Sequence, residues 1–221
     1  MKQHQPLYRT ALVRLSAALA FCMLLPSVAV LEGCRQQEEI EKKPLVTPEN
    51  LQTAYAREAR LAYTYDLFAK KAAKEYLPNV ARLYRAAAAS EAIHAAAHLE
   101  QMKALGVVPK PYTPEKVVVG TTMQTLRMAV SDEQIETESM YPNLIATAEA
   151  EKLNEIAATF RRFKRADEAQ IRLMREAADN NGAISHIPFY ICPKCGGLVL
   201  TSKTTGCADC GVKPGEMIKV L

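Results

Sequence analysis

Four helical segments of this chain carry carboxylates where their apolar stripes should run unbroken, and that pattern constrains the fold more than any other feature. The first stripe reads Leu51, Tyr55, Leu61 or Ala62, Tyr65 and Phe68, with Glu58 in its middle. The second reads Val80, Tyr84, Ala87, Glu91, His94 and His98. The third reads Met123, Leu126, Val130, Glu133, Glu136, Met140 and Leu144, and the fourth Leu153, Ile156, Phe160, Phe163, Asp167, Gln170 and Met174. Residues three and four apart share one face of a helix. The spacing therefore aims Glu58, Glu91, Glu133, Glu136 and Asp167 into the same interior as the apolar residues. A buried carboxylate is costly unless it is paired or bound to a cation. Five of them beside His94 and His98 call for metal, and oxygen donors with one or two imidazoles suit iron or manganese.

The connections between the stripes set the architecture. "TPEN" predicts a helix start with Thr47 as N-cap and Pro48 at the first helical position. "LPN" at 77–79 is a short turn, whereas "GVVPKPYTPEKVVVG" at 106–120 is a Pro-rich connection without helical period. Short, long and short connections predict a mainly α, ferritin-like four-helix bundle with one long crossover over residues 47–180. The two halves also repeat. Tyr65-x-x-Phe68 recurs as Tyr141-x-x-Leu144, and Val80-Ala81-x-x-Tyr84 as Ile156-Ala157-x-x-Phe160, both 76 residues on. Glu91 then falls on Asp167 and His94 on Gln170. Upstream the register slips by one, so that Glu58 maps to Gln134 instead of Glu133. Glu91-x-x-His94 is the Glu-x-x-His motif of di-iron bundles. Its counterpart, Asp167-x-x-Gln170, has a shorter carboxylate and an amide in place of the imidazole.

Residues 181–221 have a different composition. "CPKCGG" and "GCADCG" place Cys192, Cys195, Cys207 and Cys210 in two Cys-x-x-Cys knuckles separated by 11 residues, each followed by a glycine, Gly196 or Gly211. Four thiolates so spaced suit a tetrahedral metal, iron or zinc. The other reading, for an exported chain, is two disulfides. A segment this small does not hold a core without such a staple.

The first 33 residues read as a secretory signal: Lys2, Arg9 and Arg14 precede an uncharged run from Leu15 to Leu31. "LEGC" resembles a lipobox and would make Cys34 a lipidation site. Cleavage after Ala29, or an uncleaved anchor, are the other readings. All three place the protein outside the cytoplasm, in the cell envelope or periplasm, tethered by residues 34–46. Without the leader the chain holds 25 basic and 23 acidic residues and no basic run, which argues against nucleic acid as its main partner.

Taken together, "AREARLAYTYDLFAKKA", "SEAIH", "DEQIETESMYP" and the cysteine knuckles resemble the rubrerythrin family over nearly all of the chain from Leu51 onward. The resemblance implies a ferritin-like di-iron bundle followed by a rubredoxin-like domain. It also implies a non-haem iron peroxidase that reduces hydrogen peroxide, with electrons relayed from an external donor through the Cys-bound iron. In the family that relay often works across a homodimer. Two departures stand out: "DEAQ" replaces the second Glu-x-x-His and weakens the second metal position, and export separates the protein from cytoplasmic donors. The readings that compete are an iron-binding or ferroxidase protein, and a structural bundle with a zinc-filled knuckle that serves as an interaction module.

Overall fold

The computed structural model describes residues 44–184, 188–200 and 205–220. The leader, Cys34 and most of the tether lie outside them. Five α-helices come first: α1 (Thr47–Lys74), α2 (Pro78–Ala104), α3 (Thr122–Ile135), α4 (Tyr141–Ala150) and α5 (Asn154–Asp179). A π-helical turn, Glu136–Met140, joins α3 to α4 without a break, so the two form one long third rod. The result is a mainly helical, four-rod, ferritin-like bundle. Among the described residues no helix is long and apolar enough to cross a membrane.

The π turn accounts for the slip in the internal repeat. Its hydrogen bonds run from i to i+5, so it holds one residue more than an α-turn. Glu133 precedes Tyr141 by eight positions, whereas Glu58 precedes Tyr65 by seven. The extra residue sits at Glu136–Met140, and the two halves are back in register from Tyr141 onward.

The start of α1 differs from the sequence expectation. Val46, not Thr47, is the N-cap, and no side chain of the first turn caps it. Instead Glu151 reaches over from the end of α4, where its carboxylate accepts from the backbone N–H of Val46 (2.6 Å) and Thr47 (3.0 Å). A carboxylate there satisfies orphan donors and complements the helix dipole. Its source lies 105 residues away, beyond any local signal.

The interior consists of two apolar clusters with a polar layer between them. One holds Leu61, Tyr65, Phe68, Tyr84, Leu126 and Met174. The other holds Leu51, Met102, Tyr141, Leu144, Phe160 and Phe163. Along every rod the carboxylates fall where the chain passes from one cluster to the other: Glu58 between Ala54 and Leu61, Glu91 between Ala87 and Met102, Asp167 between Phe163 and Met174. All five acids are fully buried. The large side chains contribute about 1.5–3 kcal/mol each by leaving water, and that apolar gain is what holds the charged layer in place.

The cysteine-bearing segment forms a three-stranded antiparallel sheet in the order β2-β1-β3, from β1 (Phe189–Ile191), β2 (Leu198–Leu200) and β3 (Ile218–Val220). Ile191 lies opposite both Leu198 and Ile218. Phe189 and Ile191 bury into the first bundle cluster, while Cys192, Cys195, Val212 and Met217 join the second. The sheet therefore borrows its core from the helices, and the two parts form one compact unit.

Candidate metal centres

Two groups of buried ligand atoms gather in the polar layer. Glu58, Glu91 and His94 form one; Glu91, Glu133 and Asp167 form the other, and within each group the ligand atoms lie within 4.8 Å of one another. Glu91 belongs to both, as a bridging carboxylate would.

The orientation of His94 is the clearest indication of what the layer accepts. Its Nε2 lies 2.9 Å from the carbonyl oxygen of Cys195. A carbonyl only accepts, so Nε2 carries the proton and Nδ1 presents a lone pair. That lone pair faces Glu91 Oε2 at 3.1 Å, Asp167 Oδ1 at 3.6 Å and Glu58 Oε2 at 4.0 Å. Lone pairs directed at one another require a proton or a cation between them. An imidazole whose far nitrogen donates to a backbone carbonyl is also the usual setting of a metal-bound histidine. Phe163 stacks on the ring at 4.2 Å and holds its plane.

The carboxylates are in the same condition. Burial pushes Glu133, Glu136 and Asp167 well above the ordinary carboxylate range, and their acidic neighbours push them further. Burial also raises Glu58 and Glu91, and lowers His94. Glu58 Oε2, Glu133 Oε2, both oxygens of Glu136 and Asp167 Oδ2 have no hydrogen-bond partner among the described residues. These unpartnered oxygens around one imidazole nitrogen fit a divalent cation with a taste for oxygen donors, such as iron or manganese.

The remaining oxygens are held by phenols. Tyr141 donates to Glu58 Oε1 at 2.5 Å, and Tyr65 donates to Glu133 Oε1 at 2.6 Å. Each tyrosine comes from one half of the repeat and each acid from the other, so the pseudo-twofold axis passes through the layer. Sequence reasoning found the two tyrosines as repeat markers and missed this role.

Gln170 does not stand as a simple substitute for an imidazole. Its amide nitrogen donates to Glu91 Oε1 at 2.6 Å, with Asp167 Oδ1 and Ser90 Oγ each at 3.3 Å. The amide thus presents donors, not a ligand atom, to the second group. His98 is buried against Phe160 and Phe163, with Nε2 3.9 Å from Glu58 Oε1. Neither of its ring nitrogens has a hydrogen-bond partner among the described residues. Glu136 is buried in the same layer but belongs to neither group; its Oε1 lies 2.6 Å from Arg57 Nε. Arg57 is a second residue that sequence reasoning missed, because nothing local to "AREAR" says that its side chain turns inward.

The sulfur atoms of Cys192, Cys195, Cys207 and Cys210 also lie within 4.8 Å of one another. None is in a disulfide. Cys195 and Cys207 are 3.7 Å apart, close to the roughly 3.8 Å edge of a tetrahedron with 2.3 Å metal–sulfur bonds. Burial pushes Cys210 up to about 11 and Cys195 further still. Cys192 is drawn down, against its burial, by the N–H groups of Lys194 and Cys195. Gly196 has φ +69, and a Cβ there would sit 2.3 Å from Ser90 Oγ and 2.7 Å from His94 Nε2. Only glycine allows the knuckle to approach α2 this closely. Ser90 completes the contact by donating to Gly196 O at 2.9 Å.

Comparison with known proteins identifies relatives of the whole fold. The rubrerythrin family model matches residues 49–170. Rubrerythrin-2 of Clostridium acetobutylicum is 30% identical over 180 residues, which cover 77% of this chain and 95% of that protein. Nigerythrin of Nitratidesulfovibrio vulgaris is 30% identical over 152 residues, 68% of this chain and 74% of that one. Among solved structures, mixed-valent nigerythrin superposes with a TM-score of 0.71 at 26% identity, covering 82% of this chain and 90% of that one. Fully reduced, all-ferrous nigerythrin superposes at 0.74 and 25% identity, with 83% and 91% covered.

Proposed function

The chain belongs to the rubrerythrin family, known as di-iron proteins with peroxidase activity, and from that premise we propose that it is an exported non-haem iron peroxidase. Hydrogen peroxide is reduced to two waters: the O–O bond breaks, and two electrons and two protons enter. The electrons come singly from an external donor through iron held by Cys192, Cys195, Cys207 and Cys210. The observation that carries this reading is the 2.9 Å contact between His94 Nε2 and the carbonyl oxygen of Cys195. One hydrogen bond joins the backbone of a cysteine ligand to the imidazole of the carboxylate layer, within a single chain.

Iron bound by Glu58, Glu91 and His94, and by Glu91, Glu133 and Asp167, would supply the electrons that cleave peroxide. The rest of the work falls to the protein. Tyr141 and Tyr65 keep their protons, because burial pushes both phenols well up, and they hold Glu58 and Glu133 in place. Phe163 and the Cys195 carbonyl fix the plane and the tautomer of His94. The two apolar clusters keep bulk water from the layer, which strengthens every charge interaction inside it. Export, lipidation at Cys34 and a homodimeric assembly belong to the same proposal. The leader's charge pattern supports the first two and the family resemblance the third.

The test is a single-turnover experiment. The protein, purified from its native host and reduced without oxygen, is mixed with hydrogen peroxide while the ferric-thiolate bands are followed. The expected result is reoxidation of the Cys-site iron at a peroxide-dependent rate. In His94→Ala, bundle iron should be lost and the fast phase should disappear, with the Cys-site spectrum intact. Zinc as the sole metal at the cysteines would overturn the relay.

A further inference from the structure

The four-cysteine site has an inner and an outer side. Cys195 is buried, and its carbonyl meets His94. Cys207 and Cys210 are only half-buried and form the sulfur edge nearest to solvent. A hollow of about 280 Å³ lies at this edge, lined by Arg162, Lys194, Asp209 and Cys210. A second, of about 260 Å³, shares Arg162 and Asp209 with it and adds Arg165, Cys195 and Cys207. Arg165 is paired with Asp209 at 3.1 Å, which neutralises the one acid of the rim. Arg162 donates only to the hydroxyl of Thr159, at 2.9 Å. The exposed Lys194 ammonium makes no ion pair among the described residues. Three cations against one acid leave a surplus of two positive charges around the outer cysteines. The same turn of α5 that lays Phe163 on His94 inside carries Arg162 outside. Both hollows are smaller than the roughly 300–1,000 Å³ of a site that encloses a small molecule, so they fit the surface of a protein better than a free nucleotide.

We propose that this rim, built by Arg162, Arg165 and Lys194, is the docking surface for an acidic one-electron donor protein, whose carboxylates meet the cations and bring its redox centre to the edge formed by Cys207 and Cys210. The donor gives up one electron, and ferric iron held by the four thiolates becomes ferrous; no bond forms or breaks and no proton has to move. Electrons enter at the outer cysteines and leave past Cys195. Charge complementarity raises the encounter rate more than the affinity, which suits a partner that must depart after each electron. The inference rests on the relay reading of the cysteine site.

The test has a binding arm and a kinetic arm. In the first, the protein with zinc at its cysteines is titrated with hexacyanochromate(III), a paramagnetic anion that broadens nearby NMR resonances. Broadening should centre on Arg162, Lys194 and Cys210; broadening elsewhere, or none, overturns the surface. In the second, the ferric cysteine site is reduced in stopped-flow by a reduced plant-type ferredoxin, an acidic protein donor, and by reduced methyl viologen, a cation. Raising the salt to physiological strength, where charges are screened beyond about 8 Å, should slow the ferredoxin reaction about tenfold. The double variant Arg162→Gln, Lys194→Gln should slow it about tenfold at low salt and speed the viologen reaction, with the ferric-thiolate spectrum reporting that the site is intact. A lowered redox potential would slow both reductants, so the opposite signs isolate docking. Equal slowing of both, or a ferredoxin rate that ignores the substitutions, overturns the proposal. Broadening at the hollow beside an unchanged ferredoxin rate would reduce the rim to a small-anion site. Cysteines that take up no iron would remove the relay itself, an outcome distinct from a ferredoxin rate that ignores the rim.

Discussion

His94 and Cys195, 101 residues apart in the chain, meet at 2.9 Å through the imidazole Nε2 and a backbone carbonyl. This contact fixes the tautomer of the only histidine in either ligand group, and it seats the cysteine knuckle on the bundle.

The seat depends on Gly196. Gly196→Ala places a methyl 2.3 Å from Ser90 Oγ and 2.7 Å from His94 Nε2, at a φ of +69. The knuckle must lift, at a cost on the order of 1–3 kcal/mol for the strained backbone alone. The four thiolates stay together, so the Cys-site spectrum should survive. Peroxide-driven reoxidation of that site should slow at least about tenfold in stopped-flow. An unchanged rate would show that electrons do not use this contact.

The phenols make a second test. Tyr141→Phe removes the donor to Glu58 Oε1, which His98 Nε2 approaches no closer than 3.9 Å. A buried acceptor stripped of its donor costs about 1–3 kcal/mol. Tyr65→Phe does the same to Glu133. Urea denaturation of the metal-free protein should show losses of that size for each variant, similar in magnitude because the two contacts are related by the internal repeat. A loss in one and none in the other would mean that the symmetry is only geometric.

Gln170 should make the two metal positions unequal. Its amide donates to Glu91 Oε1 at 2.6 Å and offers no nitrogen lone pair to the group of Glu91, Glu133 and Asp167. Ferrous titration should show two steps separated by on the order of 10–100-fold. Gln170→His should draw the steps together and raise turnover. Two equally tight ions in the unmodified protein would assign the missing donor to His98 or another group.

The pH dependence of the metal-free protein follows from the raised carboxyls. Their ordinary values are 4.5 for Glu and 3.8 for Asp, and all five are higher in the folded chain. Such groups bind more protons folded than unfolded, so their contribution to stability is fully present below about pH 4 and is lost as pH rises through the folded values. His94, lowered by burial from 6.5, works in the opposite sense, but one imidazole is outweighed by five acids. The melting temperature of the metal-free protein should therefore rise as pH falls from about 7.5 to 5.5. Ferrous ion should reverse the trend, since protons compete with it for the same oxygens. A metal-free protein that is most stable at the high end would contradict the burial of these acids.

The number of rods, the long crossover and the residues of the polar layer were all legible from periodicity, because a helix repeats every 3.6 residues and a misplaced glutamate shows at once. Glu58, Glu91, His94, Glu133, Glu136 and Asp167 are all buried as their stripes require. The cysteine spacing likewise showed that four sulfurs converge, since a knuckle is a local structure. What only the tertiary structure decided are the pairings between distant segments: Glu151 over the start of α1, Tyr141 on Glu58, the knuckle carbonyl on His94, and Arg57 on Glu136. The π turn belongs with them. In sequence it was only a one-residue slip between the halves; in the folded chain it directs Glu136 toward Arg57. Periodicity reports which face of a helix is buried, but not which group from another helix stands opposite. That choice is made by packing, where charge has to balance and each buried donor has to find its acceptor.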